Sequence, residues 1–378
     1  MHLNTLQTRT PHTRIRLRTP RTAAVAVTLL VALAGCGGGG GDGGKRKGAP
    51  SADTATIALL LPESKTTRYE AFDRPLFQER VKQLCPRCTV LYSNADQDPA
   101  RQQNQVESSL TRGAKVLVLD AVDAKAVAPQ VNQAGRRHVP VIAYDRLITN
   151  VPYSYYVSFD NVRVGQMQGQ ALLDALNARH TLGKGRIVML NGAPTDPSSA
   201  DYKKGAHSVL DGKVPIGREY DTPDWSPDKA QQEMEQAITA LGRDSIVGVL
   251  SANDGMAGGA ITAMRRAGYR PILPITGQDA ELAAVQRIIG GEQYMTVYLN
   301  IKAQAYKSAE LAVALARGQN PAAPATVPNG SGRVPAFLLS PTAVTSANIK
   351  DTIIKDGFYT ASRLCSDRAR ACRAAGLQ

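Results

Sequence analysis

The sequence is short of the residues on which most metal and catalytic chemistry depends. Its 378 residues include five histidines, five cysteines and one tryptophan. Beyond residue 35 the histidines are His138, His180 and His207, and none stands at zinc-ligand spacing from a cysteine. The sequence contains no nucleophile elbow, phosphate loop or dinucleotide fingerprint. These absences predict a protein without a metal or cofactor and without covalent chemistry.

The chain also lacks a basic block that could track nucleic-acid phosphates, although its formal net charge is +13. The first 35 residues contain no acid and hold five of the arginines: Arg9, Arg14, Arg16, Arg18 and Arg21. The remaining basic residues are spread along the chain. We therefore expect a moderately basic surface and no nucleic-acid partner.

No long apolar run is present beyond "AAVAVTLLVALAG", which starts at Ala23 and is too short for a membrane-spanning helix. With the basic stretch before it, this run predicts a signal peptide over residues 1–35. "LAGC" at Leu33–Cys36 resembles the bacterial lipoprotein box, so Cys36 is the expected lipid-bearing residue. An ordinary secretory peptide with a chance cysteine is the alternative. The glycine-rich residues 36–54 then form a tether that holds the protein outside the cell membrane.

Export bears on the other four cysteines, which form two close pairs in the sequence. Cys85 and Cys88 lie in "CPRC", and Cys365 and Cys372 lie near the C-terminus. We predict two local structural disulfides. A redox-active dithiol at "CPRC" is the alternative, because that spacing can lower a thiol pKa.

From Ile57 onward, short apolar runs alternate with amphipathic stretches in two series that meet near "YYVSFDN". Repeated βαβ units of this kind predict parallel sheets covered by helices. The predicted fold is therefore α/β, with two doubly wound lobes and not a repeat array. Residues 361–378 are expected to form a C-terminal tail.

Ligands of such sheets bind beyond the carboxyl ends of the strands, so the residues there are candidates for a site. "VPVIAYDR" shows the pattern: an apolar run ends abruptly on Asp145 and Arg146. Helix N-capping is the better explanation for Asp254, and it also accounts for Asp160. It does not explain arginines at this edge, because a cation opposes the helix dipole. The polar residues after the other runs are Arg68, Tyr69, Ser198, Asn253 and Asp279.

Arginine, aspartate and asparagine beside an aromatic ring suit a neutral polyhydroxylated ligand. Trp225 lies in the polar, proline-rich loop "DTPDWSPDKA", and Tyr69 lies in a comparable loop of the first lobe. We expect both rings to stack on the ligand.

Six segments resemble one known family, the sugar-binding components of bacterial ABC importers, and within it the D-xylose-binding branch. The segments are "VIAYDRLI", "VSFDNVRVGQMQGQAL", "SANDGMAGGAI", "TGQDAELAAVQRI", "MTVY" and "NIKDTIIKDGFYT". The resemblance runs from about Ile57 to Tyr359 and implies the class I periplasmic-binding-protein fold, in which a three-segment hinge joins two lobes. It places the N-terminal lobe at 55–158 plus about 299–330, and the C-terminal lobe at 159–298 plus about 331–360.

The same resemblance implies a monomeric receptor that closes on a monosaccharide and passes it to a membrane permease. It places hydrogen-bonding roles on Arg68, Arg146, Asn253 and Asp279, stacking roles on Tyr69 and Trp225, and an orienting role on Asp145. Two positions depart from the family pattern: Ser198 stands for an asparagine and Leu299 for a lysine. A site that loses a donor rejects ligands that depend on it, and an added leucine disfavours an unpaired hydroxyl, so a related pentose or hexose fits as well as D-xylose.

Three rival functions share parts of this pattern. Transcription regulators of the same fold carry an N-terminal DNA-reading helix-turn-helix, where this chain has its predicted signal peptide. A sugar sensor of the same fold remains an alternative. An exported carbohydrate hydrolase could use Asp145 and Asp279, but one of the two would need a raised pKa, and the neighbouring arginines are expected to keep both ionised.

Overall fold

The computed structural model describes residues 54–377. The predicted signal peptide, the expected lipid-bearing residue Cys36 and nearly all of the tether lie outside the described residues. Within residues 54–377, no helix has the length and apolar character needed to cross a bilayer.

Strands and helices alternate along the chain, as the two series of apolar runs predicted. The strands are β1 (Thr56–Leu61), β2 (Thr89–Asn94), β3 (Val116–Leu119), β4 (Val141–Tyr144), β5 (Tyr155–Phe159), β6 (Arg186–Asn191), β7 (Ile216–Asp221), β8 (Ile246–Ser251), β9 (Thr296–Tyr298), β10 (Ala325–Pro328), β11 (Arg333–Leu339) and β12 (Thr342–Val344). The helices are α1 (Arg74–Leu84), α2 (Pro99–Thr111), α3 (Ala128–Arg136), α4 (Asn161–Ala178), α5 (Pro197–Leu210), α6 (Pro227–Leu241), α7 (Asp254–Arg266), α8 (Leu282–Ile289), α9 (Ile301–Ala316), α10 (Ala361–Cys365) and α11 (Ala369–Ala374).

The first lobe is built on a seven-stranded sheet in the order β10-β11-β5-β4-β3-β1-β2. All neighbouring pairs are parallel except β10 with β11. The central strands β3 and β4 are buried along their whole length, because helices cover both faces. Polar groups can therefore reach a ligand only at the strand ends.

The second lobe contains the parallel sheet β7-β6-β8 and the antiparallel pair β12-β9. The run "ILPIT", predicted as a strand, makes only a single bridge, between Ile275 and Val249. Pro274 within this run and Pro271 immediately before it explain the difference, because proline cannot donate a ladder hydrogen bond.

The chain passes between the lobes three times, after β5, after β9 and after β11, in agreement with the predicted three-segment hinge. Helix α9 returns to the first lobe and packs on α1. Strand β11 pairs with β5 in the first-lobe sheet. The predicted change of lobe at residue 331 is therefore too early, and the sheet pairing places it after Leu339.

Helix starts at the site edge follow local capping chemistry. The side chains of Asp98, Asp196 and Ser226 accept hydrogen bonds from the first-turn N–H groups of α2, α5 and α6, and each is followed by a proline at the first helical position. Asp160 caps α4, as predicted. Asp254 does not cap α7, because Asn253 does so instead by accepting from the Met256 N–H group.

Both predicted disulfides are present, Cys85–Cys88 at the end of α1 and Cys365–Cys372 between α10 and α11. The described residues contain no group of histidine, cysteine and acidic side chains arranged to hold a metal ion. Each disulfide therefore stabilises a short local segment of the chain.

Candidate functional site

A cavity lies between the two lobes, at the carboxyl ends of their strands. The cavity is lined by Thr66, Arg68, Tyr69, Asp145, Arg146, Asp196, Tyr202, Trp225, Asn253, Gln278 and Asp279. Except for Tyr202, which lies in α5, the lining residues come from the segments that follow β1, β4, β6, β7 and β8, and from the loop that precedes β9.

Seven of the nine predicted ligand-binding residues line this cavity: Arg68, Tyr69, Asp145, Arg146, Trp225, Asn253 and Asp279. The structure does not bring the other two to it. Ser198 is buried in the first turn of α5, where its hydroxyl accepts a hydrogen bond from Asn161 Nδ2 at 3.2 Å. Leu299 is buried in the apolar core of the second lobe. Each of the two residues therefore has its contacts within the second lobe: Ser198 through a hydrogen bond and Leu299 through apolar packing.

Four lining residues, Thr66, Asp196, Tyr202 and Gln278, were not among the predicted ligand-binding residues. The sequence could have identified Gln278 and Asp196, because each follows a second-lobe apolar run within a few residues. It could not have identified Tyr202, since that residue lies inside α5 and reaches the cavity only through the packing of that helix.

Arg68 is almost fully occupied by protein partners. Its Nε and Nη2 atoms donate to the carboxylate of Asp73 at 2.9 and 2.8 Å, and Nη2 also donates to Gln304 Oε1 at 2.6 Å. Its Nη1 atom donates to Asp145 at 3.1 Å and lies 3.8 Å from Asp279 in the other lobe. Few donors are left for a ligand, so the main role of Arg68 is to compensate and orient buried carboxylates.

Arg146 is much freer, although it is equally buried. Its Nη1 atom donates to the Ala121 carbonyl at 3.3 Å, and its Nε atom lies 3.2 Å from Asp196 and 3.5 Å from Asp120 without forming a hydrogen bond. A guanidinium has five N–H donors. Arg146 therefore presents unused donors inside the cavity, which Arg68 does not.

Trp225 forms an apolar wall of the cavity. Its ring packs edge-to-face on Tyr202, with centroids 6.2 Å apart, and its indole Nε1 is buried without a hydrogen-bond partner. A Cβ atom at Gly192 would lie 1.9 Å from the ring, so only glycine leaves room for it. An apolar face with an unused donor at its edge is suited to a sugar ring.

Three lining residues adopt left-handed backbone conformations, with φ of 61° at Asp145, 53° at Trp225 and 93° at Asp279. Such conformations are uncommon outside glycine and concentrate at functional sites. Here they turn side chains at the strand ends toward the cavity.

Burial and charge act differently on the two facing carboxyls. Burial would raise the pKa of Asp145, but Arg68 and a hydrogen bond from Gln304 outweigh it and lower that pKa. Burial raises the pKa of Asp279 to about 7, and Arg68 opposes this only in part. The prediction that the arginines keep both carboxyls ionised therefore holds for Asp145 and is wrong for Asp279.

The raised pKa of Asp279 predicts a pH dependence of stability. Between the unfolded pKa of about 4 and the folded pKa of about 7, the folded state binds more protons than the unfolded state. The contribution of Asp279 to folding stability therefore falls as the pH rises through this window. Asp279→Asn should remove that loss. We expect the stability of the variant relative to wild type, from urea denaturation, to increase between pH 4 and pH 7. Because Glu281 and Asp145 also face Asp279, the difference between the two proteins, and not the wild-type curve, is the measured quantity. A difference that is constant with pH would contradict the assignment.

Comparisons with known proteins agree with this geometry. Residues 57–320 match a model described as a periplasmic binding protein domain. The chain is 35% identical to a D-xylose-binding periplasmic protein of Escherichia coli K12, over 84% of this chain and 94% of the relative. It is 31% identical to the multiple sugar-binding periplasmic receptor ChvE of Rhizobium radiobacter, over 83% and 93% respectively.

Among solved structures, an ABC transporter solute-binding protein from Clostridium phytofermentans with bound β-D-glucose superposes with a TM-score of 0.75 at 27% identity, covering 82% of this chain and 99% of that one. A carbohydrate transporter solute-binding protein from Chloroflexus aurantiacus, in complex with D-glucose, gives a TM-score of 0.73 at 29% identity, covering 82% and 98%. In each comparison, nearly the whole relative is matched.

Proposed function

Because the chain belongs to the periplasmic binding protein family, we propose that it is a monosaccharide receptor of an ABC importer that traps its ligand as the two lobes close. The observation that carries the proposal is the cavity between the lobes, which combines the Trp225 face with unused buried donors and acceptors. Arg146 Nε, Trp225 Nε1 and Gln278 Oε1 are all buried without a hydrogen-bond partner. Such atoms are costly unless a ligand satisfies them.

The chemistry of the lining supports a neutral polyhydroxylated ligand. Arginine, asparagine and glutamine supply donors, and aspartates supply acceptors, so adjacent hydroxyls can both be bound. The lining holds two arginines and three aspartates, of which Asp279 has its pKa near 7. These charges offset one another and do not favour a ligand of strong charge.

D-xylose is the first candidate, supported by the similarity to the D-xylose-binding proteins. Ser198 and Leu299 stay away from the cavity in this chain. The cavity therefore takes its side-chain contacts from other residues, Asp196 and Gln278 among them. A related pentose or hexose remains within the proposal for that reason.

Tryptophan fluorescence tests the proposal, because Trp225 is the only tryptophan in the sequence. The protein from residue 54 onward is titrated with D-xylose, L-arabinose, D-ribose, D-glucose and D-galactose. Saturable quenching or a spectral shift with one of these sugars identifies the ligand. Absence of both a fluorescence change and calorimetric heat with every sugar would refute a receptor for this class.

One observation favours a second function, a glycoside hydrolase. Asp145 and Asp279 have opposed pKa shifts, which is the arrangement of a base or nucleophile with an acid. The named functions of the relatives are binding functions and support the receptor instead. Incubation with nitrophenyl glycosides separates the two, because release of nitrophenol occurs only with a hydrolase.

We further propose that the receptor is a monomer held at the outer face of the cell membrane through lipid on Cys36, where it delivers sugar to a permease. The lipoprotein-like "LAGC" sequence and the glycine-rich tether support this location. Replacing Cys36→Ser should move the protein from the membrane fraction to the soluble fraction. Unchanged membrane retention would show that lipid on Cys36 is not the anchor.

A further inference from the structure

A direct hydrogen bond between the lobes lies beside the cavity without forming part of its lining. The Thr67 N–H group donates to Glu281 Oε1 at 3.2 Å. Thr67 stands between the lining residues Thr66 and Arg68, and Glu281 follows the lining residue Asp279 by two positions. Glu281 is only 8% exposed, whereas Thr67 is exposed, so this bond is partly buried. It therefore joins the two loops that would enclose a ligand from opposite lobes.

The carboxylate of Glu281 is not used by its own helix. Glu281 occupies the position before α8, where an acidic side chain commonly accepts from the first-turn N–H groups, yet it makes no such capping bond. The oxygen points to the opposite lobe instead. Burial raises the pKa of Glu281, while hydrogen bonds from Thr67 lower it. The cross-lobe contact thus compensates part of the cost of burying this group.

Asp254 braces the loop that carries both Asp279 and Glu281. Its carboxylate accepts from the Glu281 N–H group at 2.9 Å, from Thr296 Oγ1 at 2.8 Å and from Gln293 Nε2 at 2.7 Å. A Cβ atom at Gly277 would come within 1.9 Å of the same carboxylate. Because these contacts hold the loop at several points, we expect Asp279 and Glu281 to move together.

Other contacts also join the lobes among the described residues. Gln97 Nε2 donates to the Asp224 carbonyl and the Ala124 N–H group donates to the Thr195 carbonyl, each at 3.2 Å, and both of these bonds end on neutral groups. The carboxylates of Asp196 and Asp279 approach Arg146 and Arg68 across the lobes, but all four residues line the cavity. Glu281 differs because its carboxylate joins the lobes from outside the lining, and hydrogen bonds to charged groups are the stronger ones.

We infer that Glu281 is a latch residue: it does not touch the sugar, but its bond to Thr67 forms only when the lobes close and slows their reopening. The inference rests on the proposed receptor function. Since ligand escape requires reopening, loss of the latch should act on the dissociation rate. Association takes place from the open form, which loss of the latch can only favour, so kon should not fall.

The test compares Glu281→Ala and Glu281→Gln with wild type by stopped-flow Trp225 fluorescence, using the sugar identified by titration. We expect Glu281→Ala to raise koff about fivefold and to leave kon within about twofold. Glu281→Gln keeps an amide oxygen as acceptor and should lie near wild type. Glu235→Ala is the matched control, because Glu235 forms an exposed ion pair with Arg266 on the outer surface. A purely structural role would lower the unfolding midpoint without separating kon from koff.

Small-angle scattering compares the ligand-free proteins, so this second test of the latch does not require an identified sugar. We expect a larger radius of gyration for Glu281→Ala than for wild type or Glu281→Gln, since the latch favours closure. Unchanged koff in Glu281→Ala, or a fall in kon alone, would overturn the latch. If wild type binds no sugar in the panel, the receptor proposal fails. The scattering comparison alone then decides the latch, which equal radii would refute.

Discussion

Arg146→Ala is expected to weaken sugar binding by at least about 2 kcal/mol, roughly a 30-fold rise in Kd, as for truncation of one partner in a desolvated charged hydrogen bond. Of the two arginines in the cavity, Arg146 is the one whose donors are largely unused by the protein. A ligand hydroxyl that loses this donor cannot recover it from water inside a closed cavity. The loss should therefore appear in full in the binding free energy.

The same substitution also removes the countercharge of Asp120. Both carboxylate oxygens of Asp120 are buried without a hydrogen bond, and burial raises the pKa of Asp120 while Arg146 lowers it. Some destabilisation of the fold is thus expected as well. The double variant Arg146→Ala, Asp120→Asn separates the two effects, because it removes the buried charge and still lacks the donor.

Calorimetric titration at pH 7 with the identified sugar measures the effect. Arg163→Ala is the matched control, because Arg163 lies on the exposed face of α4. Binding by the double variant that remains as weak as in Arg146→Ala would assign the loss to the donor. A Kd for Arg146→Ala within about threefold of wild type would remove Arg146 from the site.

Arg68→Met should chiefly destabilise the protein, by about 3–5 kcal/mol, because it leaves buried carboxylates without their countercharge. Asp73 receives two hydrogen bonds from Arg68 and one from the Tyr144 hydroxyl. Asp145 receives another from Arg68 at 3.1 Å. Methionine fills similar volume but supplies no charge, so the substitution tests the electrostatic role alone.

Urea denaturation measures this loss. Adding Asp73→Asn to Arg68→Met should restore part of the stability, since one uncompensated charge is then absent. Arg74→Ala, which breaks an exposed ion pair with Glu70, serves as control and should cost less than about 1 kcal/mol. A loss below about 1 kcal/mol in Arg68→Met would show that Asp73 and Asp145 do not depend on this cation.

The two arginines illustrate how far sequence reasoning reached at the site. The position of each after an apolar run placed both at the carboxyl edge of the sheet, and the structure brings both to the cavity. Their different roles could not be read from the sequence, because Arg68 is occupied by Asp73 and by Gln304 of α9, which is 236 residues away. A contact at that separation follows from chain crossing between the lobes and not from local pattern.

The acidic residues show the same limit. Asp254 was interpreted as a helix cap, because aspartate after a strand usually is one. Tertiary packing instead places Thr296 and Gln293 around it and makes it the brace of the loop from Gly277 to Glu281. Asp279 was expected to be ionised beside an arginine, yet burial raises its pKa to about 7. Desolvation depends on the whole surrounding structure, which no short segment encodes.

By itself, the sequence determined the alternating α/β architecture, the helix starts marked by aspartate or serine before proline, the two local disulfides and the edge at which ligand-binding groups gather. These are local properties, because periodicity, capping and short cysteine spacing act within a few residues. Only the tertiary structure decided which side chains face the cavity, which form hydrogen bonds with protein partners and which carboxyls have a raised pKa. Those outcomes depend on groups brought together across two lobes, where burial and long-range contacts outweigh local preference.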